Sequence, residues 1–325
     1  MATRYSLVVP VYRNEETIPD LLDALSGIDR ELGGALEVIF VIDGSPDRSL
    51  ALLVDALPRT GLTAQVLEMS RNFGAFAAIR AGLVEATGPH FAVMAADLQE
   101  PPDLAVEFFR RLEQDRCDVV CGVRAGRDDP LRTRLASALF WAAYRRLVQP
   151  EMPPGGVDVF GCNFRARDAL VALTEAHSSL IGQLLWIGMR RDEVPYRRRA
   201  RQRGKSAWTL RKKLAYLFDS SLAFSDLPIR LLFGVGMLAL AVAFVYGGIV
   251  LAARLTGLIV EPGYAPTVLL ISGFGALNAL GLAVVGAYAW RAFENTKGRP
   301  LAIVQRRTTF GGSAAATAAS VGAHQ

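Results

Sequence analysis

The sequence predicts an α/β protein, a mostly parallel sheet with helices on both faces, followed by a transmembrane α-hairpin. Three observations carry that prediction. Apolar runs of strand length alternate with helical patterns through the N-terminal third of the chain. Two uncharged stretches near the C-terminus are each long enough to cross a bilayer. Hydrophobic residues make up 51% of the 325, and the mean hydropathy is +0.27. That composition excludes a disordered chain.

The elements follow in order. Ser6–Val11 reads as a strand, and Glu15–Leu25 as a helix with Ile18, Leu21, Leu22 and Leu25 on one face. Glu37–Ile42 is a second strand, Asp47–Leu57 a helix, Thr63–Met69 a strand, Phe76–Ala86 a helix and His90–Ala95 a strand. Leu131–Leu147 is a longer amphipathic helix rich in Arg, and Val157–Phe164 is a strand. Leu210–Phe224 carries apolar Leu210, Leu214, Leu217, Phe218 and Leu222 at helical spacing, with Arg211, Lys212 and Lys213 opening its polar side. It reads as an amphipathic helix in the membrane interface. Leu231–Ala253 has no charge and, at about 1.5 Å per residue, reaches roughly 35 Å. Pro266–Trp290 is a second such run, close enough to the first to form a hairpin. Gly275, Ala279, Ala283 and Ala287 recur every fourth residue and form a small-residue stripe for close helix contact, with the other span or with a second protomer.

Charge sets the expected orientation. Eleven Lys and Arg lie between Arg190 and Lys213, against Asp192 and Glu193, just before the first span. Lys297, Arg299, Arg306 and Arg307 follow the second, whereas the connecting loop carries only Arg254 and Glu261. The positive-inside rule places both ends in the cytoplasm of a multi-pass inner-membrane protein. The apolar run Leu7–Val11 is too short for a signal peptide and is cut by Pro10. Cys117, Cys121 and Cys162 show no CxxC spacing and His90, His177 and His324 are scattered, which argues against a zinc site or a disulfide framework. The expected organisation is a soluble domain over 1–208, an interfacial region over 209–228, two spans within 229–291 (about 231–253 and 266–290), and a C-terminal segment over 292–325, disordered after about 310.

Ligands of such sheets bind at the carboxyl ends of the strands, and here those ends are polar. Four segments stand out: Val9-Pro10-Val11-Tyr12-Arg13-Asn14-Glu15, Val41-Ile42-Asp43-Gly44-Ser45-Pro46-Asp47, Ser70-Arg71-Asn72-Phe73-Gly74, and Ala96-Asp97-Leu98-Gln99-Glu100-Pro101-Pro102. Each alone is weak, but their order and spacing together are specific. Asp43, at a strand end, can accept hydrogen bonds from a base or ribose. Asp97 and the amide oxygen of Gln99, two residues apart, project to one side of an extended segment and suit a hard divalent cation.

With these motifs the chain resembles the family 2 glycosyltransferases of GT-A (Rossmann-like) fold, and most of all the polyprenyl-phosphate glycosyltransferases, the dolichyl-phosphate mannose synthase and GtrB-like group. Gly122-Val123-Arg124, Val157-Asp158-Val159-Phe160-Gly161, Arg203-Gly204-Lys205-Ser206 and Lys297-Gly298-Arg299-Pro300 support that subgroup, over about residues 5–307. The resemblance implies sugar transfer from a UDP- or GDP-hexose to undecaprenyl, decaprenyl or dolichyl phosphate at the cytoplasmic face, with inversion and with Mg²⁺ or Mn²⁺ bound at Asp97 and Gln99. It implies a nucleotide-sugar site of Pro10, Tyr12, Glu15, Asp43, Asn72 and Asp97. It further implies Asp158, Arg124 and Arg134 at the reacting centre, and Arg134, Arg203, Lys205 and Ser206 on the acceptor phosphate and the diphosphate.

Two positions depart from the family pattern. Ile42 stands where an Asp often precedes Asp-Gly-Ser, and Ala95 where the first carboxylate of Asp-x-Asp often stands. Both changes favour a rival reading, a degenerate membrane scaffold, and another acceptor lipid is a further alternative. A processive polysaccharide synthase would carry QxxRW, which Gln202-Arg203-Gly204-Lys205-Ser206 does not match. A nucleic-acid partner is not expected, because the basic block has only Tyr196 and Trp208 as interleaved aromatics.

Overall fold

The computed structural model describes residues 3–124, 142, 144–146, 148–153, 156–176, 178–198, 222–223, 225, 227–256 and 264–311. Its N-terminal part alternates β1 (Tyr5–Val11), α1 (Ile18–Glu31), β2 (Leu36–Ile42), α2 (Ser49–Thr60), β3 (Thr63–Met69), α3 (Ala75–Glu85), β4 (His90–Val93), α4 (Asp103–Glu113) and β5 (Val119–Arg124). Then come β6 (Val157–Asn163), α5 (Phe164–Ala172), α6 (Leu180–Trp186), β7 (Arg191–Tyr196), α7 (Leu227–Leu255), α8 (Tyr264–Thr296) and β8 (Val304–Phe310). The eight strands form one sheet in the order β7-β5-β6-β4-β1-β2-β3-β8.

β1 pairs in parallel with β2 and β4, and β2 with β3. These strands are buried on both faces, which is why they read as continuous apolar runs rather than as alternations. One face packs on α1, α2 and α4 through Leu21, Leu25, Leu53, Phe108 and Phe109. The other packs on α3, α5 and α6 through Ile79, Leu83, Leu170 and Leu184.

β6 runs antiparallel to β4 and to β5. The start of β6 therefore lies at the carboxyl end of β4. β7 then pairs in parallel with β5, so Tyr196 lies beside Arg124. β8 is antiparallel to β3 and begins opposite Met69, at the carboxyl edge. The Ser70 amide donates to the Ile303 carbonyl at that entry point, at 3.0 Å.

Several expected boundaries move, each for a local reason. The first helix begins at Ile18 rather than Glu15. Glu15 is held in the preceding loop: its amide donates to Asp47 Oδ2 and its carboxylate accepts from the Arg48 amide, both at 3.1 Å. The second helix begins at Ser49 because Asp47 stays outside it, taking the amide and hydroxyl of Ser49 on its carboxylate. The fourth strand ends at Val93, where the chain turns towards Asp97. Residues 191–196 of the basic block form an edge strand, on which Pro195 is tolerated. Arg190 and Arg191 are spent on Asp118 and Glu151 within the domain. Residues 304–310 of the expected tail form β8.

Of the expected helix Leu131–Leu147, residues 142 and 144–146 are described and are helical. Of Leu210–Phe224, only 222–223 are described. α7 and α8 contain apolar windows, Pro228–Ile249 and Gly273–Thr296, long and apolar enough to cross a membrane. Their side chains are exposed, Phe244, Ile271 and Leu282 among them.

Candidate active site

Two groups of side chains meet at the carboxyl edge of the sheet. The first joins the loops after β1, β2 and β3. Asp43 ends β2 and is 3% exposed. Its Oδ1 accepts from the Phe73 amide at 2.7 Å and its Oδ2 from the Gly74 amide at 2.9 Å. Asn72 Nδ2 donates to the Asp43 carbonyl at 3.1 Å. Gly44 makes this approach possible: its φ is +59°, and a Cβ there would stand 2.4 Å from the Asn72 nitrogen. Asp47 ties the β1 and β2 loops together. Burial pushes its carboxyl up, but hydrogen bonds from Ser45, Ser49 and the backbone of Glu15 and Ser49 outweigh that and hold it below the usual range. Arg13 sits in the left-handed region at φ 56°, its amide donating to Ser45 Oγ at 2.8 Å. Half-buried Pro10 and exposed Tyr12 lie at the end of β1.

The second group gathers around the turn after β4 and the ends of β5, β6 and β7. Thr17 Oγ1 links the two groups by donating to the Ala96 carbonyl at 2.9 Å. Leu98 has φ 53°, and the Gln99 amide donates to Asp97 Oδ1 at 3.3 Å. Asp97 and Gln99 are thus brought together by a tight turn, not by the extended segment that the spacing suggested. A bulky residue held at positive φ is strained, and such strain collects at functional sites. Asp158, near the start of β6, is gripped by Arg124: Nε donates to Oδ2, and Nη2 to Oδ1 at 2.6 Å. Tyr196 Oη donates to Oδ2 at 2.8 Å. Burial, followed by the charge of Asp158, pushes the Tyr196 hydroxyl far above its usual range. It therefore stays a donor at neutral pH.

Sequence reasoning quoted Glu100 without giving it a role. It is 2% exposed, and its Oε2 has no hydrogen-bond partner. Burial first, and then the negative charge of Asp97, push its carboxyl up to about 7, with Arg198 opposing. Arg198 donates through Nη2 to Gln99 Oε1, and its Nε lies 3.8 Å from Glu100 Oε1. Arg198 and Tyr196 were also missed, since no motif marks them; a Glu buried between two prolines and an acidic turn was the available signal. Arg134, Arg203, Lys205 and Ser206 lie outside the described residues.

The departures look different in place. The Ile42 side chain is 2% exposed and packs in the hydrophobic core, so the site-facing carboxylate at this strand end is that of Asp43. Near Ala95, Glu100 brings a second carboxylate to Asp97. Among the described residues no three His, Cys, Asp or Glu side chains group into a metal cage. A cation that takes most of its ligands from water and phosphate, as Mg²⁺ does, needs only one or two protein carboxylates. The donor set of Asp97, Glu100 and the Gln99 amide oxygen fits such an ion.

A model of "Glycosyl transferase family 2" matches residues 6–173, which contain every described site residue except Tyr196 and Arg198. The chain belongs to glycosyl transferase family 2. Family 2 relatives match over nearly all of it. An undecaprenyl-phosphate 4-deoxy-4-formamido-L-arabinose transferase of Pseudomonas aeruginosa is 31% identical, over 93% of this chain and 89% of that one. The glycosyltransferase YkcC of Bacillus subtilis, itself uncharacterized, is 30% identical, over 93% and 94%. The crystal structure of glucosyl-3-phosphoglycerate synthase from Mycobacterium tuberculosis shares the fold, with a TM-score of 0.50 and 19% identity, over 67% of this chain and 80% of that one. The chain is thus a glycosyltransferase with a GT-A-like sheet.

Proposed function

We propose that this family 2 enzyme transfers a sugar from a nucleotide-sugar donor to a polyprenyl phosphate at the cytoplasmic face of the membrane. The observation that carries the reading is one of placement. The polar groups lie at the carboxyl edge of the sheet, and the chain leaving α8 enters β8 at that same edge. Only residues 297–303 separate α8 from β8, so roughly 27 Å is the longest reach between them. A phosphate carried on a membrane lipid could meet a reacting centre held there. The printed name of the Pseudomonas aeruginosa relative, an undecaprenyl-phosphate transferase, agrees with that acceptor class.

The roles follow from the chemistry. Asp43, Asn72, Pro10, Tyr12 and Glu15 shape the donor's nucleoside end. Asp97 faces the diphosphate, with Gln99 and Glu100 beside it. A divalent cation held there would neutralise the charge that develops on the leaving diphosphate. The acceptor phosphate oxygen is already anionic at neutral pH, so it needs placing more than deprotonating. Asp158 has both oxygens engaged by Arg124 and Tyr196. It therefore acts as the orienter of the Arg124 fork, whose planar donors suit a phosphate. Direct attack by the phosphate oxygen on the anomeric carbon expels the nucleoside diphosphate and inverts the centre. Positioning and charge compensation supply most of the acceleration.

The test is nucleoside diphosphate release by the full chain in detergent, screened over UDP- and GDP-sugars with Mg²⁺ or Mn²⁺. Release that needs both the cation and polyprenyl phosphate, with a glycolipid product, is the expected result. Turnover indifferent to the lipid phosphate would overturn the acceptor assignment.

A further inference from the structure

Arg198 is placed as a cation already standing in the acidic pocket. Its guanidinium donates to Gln99 Oε1 and lies 3.8 Å from Glu100 Oε1. Glu100 is almost wholly buried, and its second oxygen has no hydrogen-bond partner. A buried carboxylate in that condition is costly unless an opposite charge faces it. Asp97 adds a second negative charge, and Asp158 a more distant one. Asp158 has its own permanent counter-ion in Arg124, held in a bidentate pair. The Asp97–Glu100 turn has no such bidentate partner among the described residues. Its cation is a single arginine about one-third exposed, two residues past the end of an edge strand. One arginine is built in, and the other is free to leave.

Building on the cation-assisted transfer proposed above, we propose that Arg198 is a positioning residue that keeps the cation place when no donor is bound. It yields Gln99 and Glu100 to a divalent ion when the diphosphate arrives. Electrostatics makes this an exchange: a guanidinium and a divalent cation cannot share the same two acceptors, since each neutralises the charge that attracts the other. The pocket stays neutralised throughout, and Glu100 serves as a ligand in place of the carboxylate lost at Ala95. A released Arg198 carries its charge towards the diphosphate, so the same side chain can contribute at both stages.

The experiment is Mn²⁺ binding to the full chain in detergent, followed by electron paramagnetic resonance of the free ion, with and without UDP or GDP. Without nucleotide, Arg198→Gln should bind Mn²⁺ about tenfold more tightly than wild type, because one competing charge is gone. Arg198→Lys, which keeps the charge, should return most of that gain. In a Glu100→Gln background, Arg198→Gln should bring no gain. With nucleoside diphosphate present, wild type and Arg198→Gln should converge. Equal Mn²⁺ affinity of wild type and Arg198→Gln without nucleotide overturns the exchange, and so does a full gain retained in the Glu100→Gln background. Failure of every protein to bind Mn²⁺ even with UDP or GDP would instead defeat the cation reading on which the exchange rests.

Discussion

Glu37 and Glu100 are both buried carboxylates, and they sit at opposite edges of one sheet. Glu37, at the amino end of β2, is 5% exposed and fully served. Its Oε2 accepts from Ser6 Oγ, the Thr87 amide and Thr87 Oγ1, and its Oε1 from Gln65 Nε2, all within 3.0 Å. Glu100, beyond the carboxyl end of β4, is as deeply buried but keeps an oxygen without a partner, beside two other carboxylates. The amino edge satisfies its polar groups among themselves and so stabilises the sheet. The carboxyl edge leaves charge uncompensated, which costs stability and leaves a place for a ligand.

Four substitutions test how far that division holds. The largest effect is expected at Asp158→Asn. Releasing the Arg124 fork should lower transfer by about 10³-fold, roughly 4 kcal/mol in the barrier, with an unchanged far-UV circular dichroism spectrum. A variant that retains wild-type turnover would break the assignment of Asp158 to the reacting centre. Next is Glu37→Ala, which strands Gln65, Ser6 and Thr87 in the interior. Stability should fall by about 3 kcal/mol, read as a lower thermal midpoint, while kcat per folded molecule stays normal. Loss of turnover in the folded fraction would show that the two edges are coupled.

Glu100→Gln should do the reverse. Removing an under-served buried charge should hold or raise stability, by about 1 kcal/mol at most, and lower turnover. A fall in thermal midpoint matching that of Glu37→Ala would erase the contrast. The smallest effect concerns Asp118, at the amino end of β5. Hydrogen bonds from Arg190, then from Asn163, outweigh burial and hold its carboxyl down at about 2. A depressed carboxylate contributes stability above its unfolded pKa and loses it as pH falls through the folded value. Because Arg190 is half exposed, the contribution is about 1 kcal/mol or less. The stability gap between wild type and Asp118→Asn should therefore be present at pH 7 and close as the pH falls from about 4 to about 2.

Much of the site was legible because its first half is local. Each of Asp43, Asn72 and Asp97 follows an apolar strand directly, and a parallel strand of such residues can only end at the carboxyl edge. Asp158 and Arg124 were legible as motifs, but their bidentate contact was not, since 34 residues separate them. Arg198 and Tyr196 were hidden inside a basic block whose charge pointed to a membrane surface. Glu100 was visible but mute, because burial of a carboxylate after a turn depends on what folds over it. β8 was missed for a related reason: a seven-residue strand rich in Arg and Thr has no apolar period until β3 supplies its partner.

The periodicities, the polar strand ends and the two uncharged stretches follow from short-range chemistry: side-chain direction, backbone preference and apolar length act over a few residues. They were enough for the fold class, for the strands β1 to β4 and for half of the site. The reversal of β6 is of another kind. It places Asp158 at the carboxyl edge, where a parallel strand would have carried it to the opposite one. The return of β8 from α8 to that edge, and the meeting of Arg198 with Gln99 and Glu100, are likewise contacts between distant segments. They form only when packing has paid the entropy of bringing the segments together, and no local pattern encodes them.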